Sequence, residues 1–308
     1  MQEQTGTKCY AVINRRGGSV IKMERDELVS EVRTRLEQIG LQAEVDCREG
    51  EELAEAMQAA AESDAEILVV GGGDGTVRYA ARTAMDNDMA LMVLPMGTIN
   101  IFARDLQLPM DWREAIQVMQ RRRPIRVDTA RMNDEVFLCQ SSIGLVPRLA
   151  EQREEIRSGG LLRGIFQLPR RLEYLYHTLR RNQLRIETQG ESLTGRTWLA
   201  VISNNLPDKP LSLMPQRSKL DDGKLVIYWA NIRNRAGLFW LSLFYLLNLM
   251  AHSRQIHIHT TDSATVTSPE ESIKVGLDGE VMGLSGRLEY RLVPRSLTVL
   301  VPEQSQAG

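Results

Sequence analysis

Cysteine is scarce in this sequence. Its three cysteines, Cys9, Cys47 and Cys139, lie far apart among 308 residues and lack the spacing of a metal site. An odd number of scattered cysteines is typical of reduced thiols in a cytosol. We therefore expect three buried, inert thiols and no disulfide framework.

We expect neither a secretory leader nor a membrane span in this sequence. The first ten residues have neither the basic start nor the apolar core of a signal peptide. Residues 236–251 form an apolar run, but it is shorter than the roughly 20 residues that a span needs, and it contains Ser242 and Asn248. We expect a cytoplasmic protein in which this run is a buried or interfacial helix.

Neither sign of charge is in excess. The chain has 38 Lys and Arg residues against 40 Asp and Glu residues, which gives a net charge of −2. Such a balance argues against wholesale nucleic-acid binding. The chain is long enough for two globular domains, since a domain usually has about 100 to 200 residues.

Strand and helix patterns alternate in the first third of the chain. The expected strands are 9–14, 43–46, 66–70 and the apolar stretch from 90, and the expected helices are 25–40, 50–64, 76–85 and a segment from 101. This alternation predicts an α/β fold with a doubly wound, mainly parallel sheet and helices on both faces. Ligands of such sheets bind at the carboxyl ends of the strands.

The pattern changes to β-type near residues 121–132, where we expect Pro124 to end a helical segment. The later strand candidates are 135–142, 183–188, 196–205, 223–230, 255–260, 272–280 and 296–302. They predict a mostly antiparallel, β-rich second domain. We place the domains at 1–126 and 127–308, and leave open that the last strand returns to the first domain.

The glycine cluster GGGDGT, residues 71–76, follows an apolar strand and precedes a helix. It lacks the ending of a Walker A loop and does not match the dinucleotide fingerprint. Glycine lets backbone N–H groups approach an anion, and a helix N-terminus favours phosphate. Asp74 beside a phosphate would have to organise the loop or meet a cation, which favours a magnesium nucleotide. A purely structural turn is the alternative.

Four motifs in order resemble the diacylglycerol kinase catalytic family of bacterial lipid kinases, which is related to the sphingosine and ceramide kinases. They are GGGDGT (71–76), PMGTINIFARDLQLP (95–109), SKLDDGKL (218–225) and LDGE (277–280). The resemblance covers nearly the whole chain, and INRRGG (13–18) matches the family's first nucleotide loop, although Arg15 replaces the usual proline. It implies ATP-dependent phosphorylation of a lipid hydroxyl, with a nucleotide-binding first domain and a lipid-binding second domain.

The same resemblance implies which residues bind ATP. They are Asn14, Arg15, Arg16, Gly17, Gly18, Gly71, Gly72, Gly73, Asp74, Gly75, Thr76, Gly97, Thr98 and Asn100. Phosphoryl transfer depends mainly on positioning and on neutralisation of phosphate charge, which glycine-loop N–H groups and Mg²⁺ can supply.

Asp278 and Glu280 are the candidates for the catalytic base. A base for a hydroxyl must be a carboxylate or an imidazole within hydrogen-bond reach, and residues i and i+2 of a strand share one face. Gly279 between them also allows an Asp-Gly hairpin turn, which is the structural alternative.

The motif KLDDGKL resembles the family's magnesium site. The resemblance implies that Asp222 binds the cation through its side chain and that Lys219 and Lys224 bind through backbone carbonyls. Oxygen ligands suit Mg²⁺. An Asp-Gly turn between strands is again the structural alternative.

The chain departs from the family pattern at two places. Many members have aspartate where Ile101 stands, and an Asn-Glu pair where Arg78 and Tyr79 stand. Ile101 can neither bind a metal nor accept a hydrogen bond, so a carboxylate network from this loop to Asp222 is in doubt.

A basic and apolar segment, residues 157–185, suits an anionic membrane surface, although a helix pair packed on the second domain explains it as well. We therefore expect a lipid partner and peripheral membrane association, and we leave a homodimer open. Two other functions also stay open. An NAD kinase carries the same GGDGT, and a nucleotide-binding regulator without turnover would fit Ile101.

Overall fold

The computed structural model describes residues 6–144, 147, 181–208, 216–230 and 256–303. The chain divides into two compact units. The first unit comprises Met1–Thr129, Gln216–Asp221 and Val293–Gly308, and the second comprises Ala130–Pro215 and Asp222–Leu292. The boundary between 126 and 127 stays a prediction.

The first unit is an α/β layer structure. Its elements are β1 (Thr7–Asn14), α1 (Arg25–Gln38), β2 (Leu41–Arg48), α2 (Glu52–Glu62), β3 (Ile67–Gly72), α3 (Asp74–Asp86), β4 (Ala90–Pro95), α4 (Ile101–Asp105) and α5 (Trp112–Val118). The strands lie in the order β2-β1-β3-β4, and all of these pairs are parallel. The predicted alternation and the parallel sheet are confirmed.

The order of the strands reverses between β1 and β3. The chain passes from β1 to β2 on one side, then crosses to β3 on the other side of β1. Because such crossovers are right-handed, helices α1 and α2 lie on opposite faces of the sheet. Helix α1 packs against α5, and α2 packs against α3. A crevice at the carboxyl ends of β1 and β3 is where a sheet of this topology binds ligands.

Helix α1 shows how the sequence specifies these layers. Leu28, Val32 and Leu36 repeat every four residues on one stripe and are almost completely buried, as expected from their spacing. Strand β3 is buried on both faces along its whole length, which agrees with its continuous apolar run.

The described residues of the second unit lie mainly in antiparallel strands. The remaining strands of the chain are β5 (Arg122–Met132), β6 (Glu135–Phe137), β7 (Gln140–Gly144), β8 (Asn182–Thr188), β9 (Ser192–Thr197), β10 (Leu199–Asn204), β11 (Leu225–Ala230), β12 (Ile256–Thr261), β13 (Ser263–Thr267), β14 (Ile273–Leu277), β15 (Glu280–Leu284) and β16 (Arg287–Pro302). Six of them form one sheet in the order β12-β11-β10-β7-β14-β15. The β-rich second part of the chain is confirmed.

The described residues of the second unit share an apolar core. It includes Ile186 of β8, Val266 of β13, Ile202 of β10 and Val275 of β14, which come from two sheets. Alternating inward side chains of this kind are what two packed antiparallel sheets require.

The last strand, β16, begins in the second unit and ends in the first. Its first half pairs with β13, and Val299 near its end pairs with Leu91 of β4 in parallel. Strand β5 also runs from the first unit into the second.

The expected helix end at Pro124 is wrong. Helix α5 ends at Val118, and Pro124 is the third residue of strand β5. Proline is tolerated near the start of a strand, where its missing N–H group removes no central ladder bond.

All three cysteines are buried, as expected, and none of them forms a disulfide bond. Burial raises the pKa of the Cys9 thiol to about 12 and also raises that of Cys47, so both thiols are poor nucleophiles at neutral pH. Within the described residues, no helix has the length and apolarity to cross a bilayer. The apolar run 236–251 and most of the basic segment 157–185 lie outside the described residues.

Candidate functional site

Three glycine-bearing loops meet at one edge of the parallel sheet. They are residues 14–18 after β1, 71–76 at the end of β3, and 95–100 after β4, and we call them the three glycine loops. Asn14 Nδ2 donates to Thr76 Oγ1 at 2.9 Å, and the N–H of Met96 donates to the Gly72 carbonyl at 3.2 Å. The structure thus brings together the segments that the sequence predicts to share this edge.

Glycine is needed where these loops touch. A Cβ atom on Gly97 would lie 2.4 Å from the Cα atom of Gly73, and one on Gly17 would lie 2.8 Å from the Met96 carbonyl oxygen. A Cβ on Gly71 would lie 2.6 Å from the Met96 sulfur. At Gly97 and Gly17 the loops can therefore pack against each other only because these positions have no side chain, whereas the neighbour of Gly71 is a flexible methionine side chain.

Asn100 fixes the shape of the third loop. It has a left-handed backbone with φ of 54°, which asparagine tolerates better than most residues. Its side-chain oxygen accepts from the Gly97 N–H at 2.8 Å, and its amide nitrogen donates to the Gly97 carbonyl at 3.0 Å. The buried Asn100 amide is thus engaged with the loop backbone, while contact with a nucleotide stays a prediction.

Asp74 is the residue that looked out of place beside phosphate. Its Oδ1 accepts from the Phe102 N–H in the first turn of α4 at 3.2 Å, so the carboxylate joins the second loop to the third. Asp74 also begins helix α3, whose N-cap residue is Gly73 and whose first turn has no side-chain cap. This helix end keeps the positive dipole and N–H groups that favour an anion.

The arginines of the first loop differ in their contacts. Arg15 N–H donates to the Arg48 carbonyl, and Arg16 N–H donates to Asn14 Oδ1, both at 2.9 Å. The Arg16 side chain lies 3.4 Å from Glu49 and both side chains are exposed, so this ion pair contributes little to stability. Gly18 and Thr98 are also exposed, and a Cβ on Gly18 would lie 3.4 Å from Thr98 Oγ1.

LDGE forms a hairpin turn. Strand β14 ends at Leu277 and β15 begins at Glu280, and these two residues are paired across the turn. The central residues Asp278 and Gly279 have positive φ values of 46° and 93°. These signs are those of a type I′ turn, for which Asp-Gly is a favoured sequence.

The Asp278 carboxylate is buried and accepts three backbone hydrogen bonds. The N–H groups of Leu138, Cys139 and Gln140 donate to it at 2.6, 2.8 and 2.9 Å. It therefore joins the hairpin to the segment before β7. Glu280, by contrast, has an exposed side chain at the start of β15.

The segment predicted to bind magnesium is an exposed loop before β11. Lys219 lies in the first unit, and Asp222 and Lys224 lie in the second. Gly223 has φ of +70°, which fits the Asp-Gly turn considered from the sequence.

No group of three His, Cys, Asp or Glu side chains in the described part of the chain could hold a metal ion. The predicted set needs one carboxylate and two carbonyl oxygens, and these are oxygen donors of the type that Mg²⁺ prefers.

Sequence reasoning missed Asn205, which follows β10. Its N–H donates to the Lys224 carbonyl at 2.8 Å, and its Oδ1 accepts from the Lys224 N–H at 3.4 Å. A carbonyl oxygen has two lone pairs, so this bond leaves one for a cation. The only sequence feature that could have indicated this role is the pair of asparagines, Asn204 and Asn205, at the end of β10.

The departures from the family pattern lie on α3 and α4. Tyr79 is 42% exposed on α3, and Ile101 is the first residue of α4. Neither side chain supplies the carboxylate that the resemblance leads one to expect.

Residues 8–132 match the family model described as the diacylglycerol kinase catalytic domain. They are similar in sequence to a diacylglycerol kinase catalytic domain. They include all three glycine loops, and the matching segment ends with β5.

Similar curated proteins match along most of the chain. A diacylglycerol kinase of Staphylococcus saprophyticus is 25% identical over 231 residues, covering 72% of this chain and 72% of its own length. A Klebsiella pneumoniae protein named probable lipid kinase YegS-like is 28% identical over 248 residues, covering 77% and 78%. An uncharacterized Synechocystis protein is 27% identical over 299 residues. The matching region covers 91% of this chain and 66% of the Synechocystis protein. The chain is thus similar to proteins that are named as lipid kinases.

The fold is similar to that of a solved diacylglycerol kinase. A crystal structure of a diacylglycerol kinase from Bacillus anthracis strain Sterne matches with a TM-score of 0.70 and 18% identity. The match covers 97% of this chain and 98% of the other. At this identity the likeness shows the fold, and the expected architecture is confirmed.

Gly97→Ala should disrupt the three glycine loops. The new methyl group would meet the Gly73 backbone, which cannot give way as a side chain could, and overpacking of this kind costs about 1–3 kcal/mol. Chemical denaturation should report this loss of unfolding free energy. Gly190→Ala is the control, because a Cβ there meets nothing within 4 Å and the control should unfold like the wild type.

Asp278→Asn should destabilise the second unit. An amide nitrogen would face backbone N–H donors in place of a carboxylate oxygen, and an unsatisfied buried donor costs about 1–3 kcal/mol. Urea unfolding measures this loss, and Glu280→Gln, an exposed change in the same hairpin, should stay within about 0.5 kcal/mol of wild type. Equal stability of all three proteins would contradict the structural role of Asp278.

Proposed function

We propose that this protein is an ATP-dependent lipid kinase that transfers the γ-phosphoryl group to the hydroxyl group of a diacylglycerol-like lipid or a related lipid alcohol. The observation that carries the proposal is the convergence of the three glycine loops at the carboxyl ends of β1, β3 and β4. The relatives named as diacylglycerol kinases support the choice of reaction.

The glycine loops fit a nucleotide phosphate chain. A Cβ atom on Gly73 would lie 3.6 Å from the Gly97 Cα, and one on Gly18 would lie 3.4 Å from Thr98 Oγ1, so each position has room on the side where a side chain would stand. The backbone N–H groups of these loops can therefore reach a bound phosphate without side chains in between. The phosphate would also lie next to the N-terminus of α3. When bound, Mg-ATP supplies the transferable phosphoryl group and neutralises its charge. The contribution of the protein is to hold and orient the phosphates through N–H groups of the loops.

The bonds between the loops give this cradle its rigidity. The Asn14–Thr76 hydrogen bond, the Asp74–Phe102 hydrogen bond and the Asn100–Gly97 bonds fix each loop to another loop or to its own backbone. A preorganised set of donors stabilises charge on phosphate without the cost of ordering mobile loops during the reaction.

Between the two candidate bases, the contacts favour Glu280. The Asp278 carboxylate accepts hydrogen bonds from three backbone N–H groups, which hold it in place within the hairpin. Glu280 presents an exposed carboxylate, which a lipid hydroxyl can reach. In this proposal Glu280 takes the proton of the acceptor hydroxyl, and Asp278 fixes the turn from which Glu280 extends.

Magnesium is proposed to bind through the side chain of Asp222 and the carbonyl oxygens of Lys219 and Lys224. These are hard oxygen donors, and the exposed loop before β11 leaves them accessible to a hydrated cation. Binding to a membrane surface through residues 157–185 is also part of the proposal, and its basis is the mixture of arginine and leucine in the sequence.

The test is phosphate transfer from labelled ATP. The purified chain is incubated with γ-labelled ATP, MgCl₂ and vesicles of phosphatidylglycerol that contain diacylglycerol, and the lipids are separated. We expect a labelled lipid with the wild type. Glu280→Gln should lower the rate by about 100- to 10,000-fold, because a general base contributes that much.

Parallel reactions distinguish the other functions. NAD⁺ in place of lipid should give no labelled product, whereas labelled NADP would favour a soluble NAD kinase. ATP binding by calorimetry together with no transfer to any lipid of a total extract would favour a regulator without turnover. A rate unaffected by Glu280→Gln would contradict the assigned base.

A further inference from the structure

A buried ion pair joins helix α4 to the segment that precedes β11. Asp105 is 4% exposed and Arg217 is 2% exposed. The Arg217 N–H donates to Asp105 Oδ1 at 2.7 Å, and its Nε donates to Oδ2 at 3.1 Å. A third contact joins the Arg217 Nη2 atom to the same carboxylate. The carboxylate therefore holds both the side chain and the main chain of Arg217.

The segment Gln216–Asp221, which we call the return segment, belongs to the first unit although the residues around it in sequence belong to the second. It is held at its other end as well. The Asp128 N–H donates to the Leu220 carbonyl at 2.7 Å, and Arg295 reaches Asp221 Oδ2 at 3.2 Å. Lys219, a proposed magnesium ligand, lies between these two attachments.

The attachment at Asp105 leads back to the third glycine loop. Arg104, its neighbour in α4, donates from Nε to the Ile99 carbonyl at 2.9 Å. Helix α4 follows this loop directly. It begins at the apolar Ile101 and ends at Asp105, which supplies the carboxylate of this helix. A hydrogen-bonded connection therefore runs from the loop through α4 to the return segment.

A charge pair with so little exposure is an expensive way to attach a surface loop. Desolvation of both groups offsets much of their attraction, and an apolar contact often serves stability as well or better. An ion pair with several hydrogen bonds also fixes geometry. The planar guanidinium group can bind a carboxylate through several bonds in only a few relative orientations.

We propose that Asp105 and Arg217 are positioning residues for the magnesium site: their ion pair fixes the main chain of the return segment and thereby the carbonyl oxygen of Lys219. This inference rests on the proposed function, because it takes the cation site from there. Neither residue touches substrate or nucleotide in this role. They act through Lys219.

The alternative is that the pair only stabilises the fold. The ion pair between Arg113 of α5 and Glu31 of α1 provides a control in the same unit, since Arg113 Nε and Nη2 donate to the two Glu31 oxygens at 2.7 and 2.9 Å. It joins two helices and not the return segment. Loss of either pair lowers stability, but only loss of the Asp105–Arg217 pair should alter cation binding.

The experiment measures cation binding without nucleotide or lipid. Thermal unfolding of the full chain is recorded across a MgCl₂ titration for the wild type, Arg217→Met, Asp105→Asn and Arg113→Met. We expect the Mg²⁺ concentration at half-maximal stabilisation to rise about 10- to 100-fold in Arg217→Met and Asp105→Asn, which is the usual effect of removing an outer support of a metal ligand. Arg113→Met should lower the unfolding temperature and leave that concentration unchanged.

Two further variants keep the test decisive. Arg217→Lys retains a charge without the forked contact, so it should bind Mg²⁺ between the wild type and Arg217→Met, and it serves if Arg217→Met does not fold. The double variant Asp105→Asn/Arg217→Met should shift the concentration no further than either single variant, because both remove one interaction.

The outcomes separate this inference from the proposed function. A wild-type response to Mg²⁺ that all the Asp105 and Arg217 variants retain overturns the positioning role alone. A wild type without any response to Mg²⁺ overturns the magnesium site and this inference with it. Lipid phosphorylation by the same wild-type preparation then reports separately whether the kinase proposal stands.

Discussion

The first unit depends on one close approach of backbone to backbone. Gly73 and Gly97 come so near that a Cβ atom on Gly97 would lie 2.4 Å from the Gly73 Cα. This contact is possible because β3 and β4 are adjacent parallel strands that end at the same edge of the sheet. The contact joins the loops after β3 and β4 into one surface, and the loop after β1 extends that surface. The proposed nucleotide site depends on this surface.

Side chains then fix what the strands bring together. Asn14, Asp74 and Asn100 each use their polar groups on a neighbouring loop or on loop backbone. Three polar side chains that look from sequence like ligand contacts therefore serve first to shape the backbone. This division of labour suits phosphate recognition, in which backbone N–H groups supply most of the donors.

Much of this arrangement could be predicted from the sequence, for reasons that are local. The strands of the first unit are apolar runs bounded by glycine, and helix α1 has its apolar residues on one stripe, so their types and order follow from periodicity. The meeting of the loops follows from parallel topology alone. The four ordered motifs added the resemblance to a kinase family, which periodicity could not supply.

The rest depends on contacts between residues far apart in the chain. The role of Asp278 is set by amides of residues 138–140, and the return segment is set by Asp105, 112 residues away from Arg217. Pro124 was misjudged because a strand's tolerance of proline depends on its place in the sheet, and β13 was missed because its short pattern follows β12 directly. Pairing of distant segments is a tertiary effect that local propensity does not report.

Hydrogen exchange followed by mass spectrometry, with and without Mg-ATP, tests the central claim most directly. The account holds that the three glycine loops form one nucleotide surface. It predicts that Mg-ATP slows amide exchange in residues 14–18, 71–76 and 95–100 together, with one common dependence on ATP concentration. Protection of one loop alone, or protection confined to other segments while all three loops exchange as before, would contradict it.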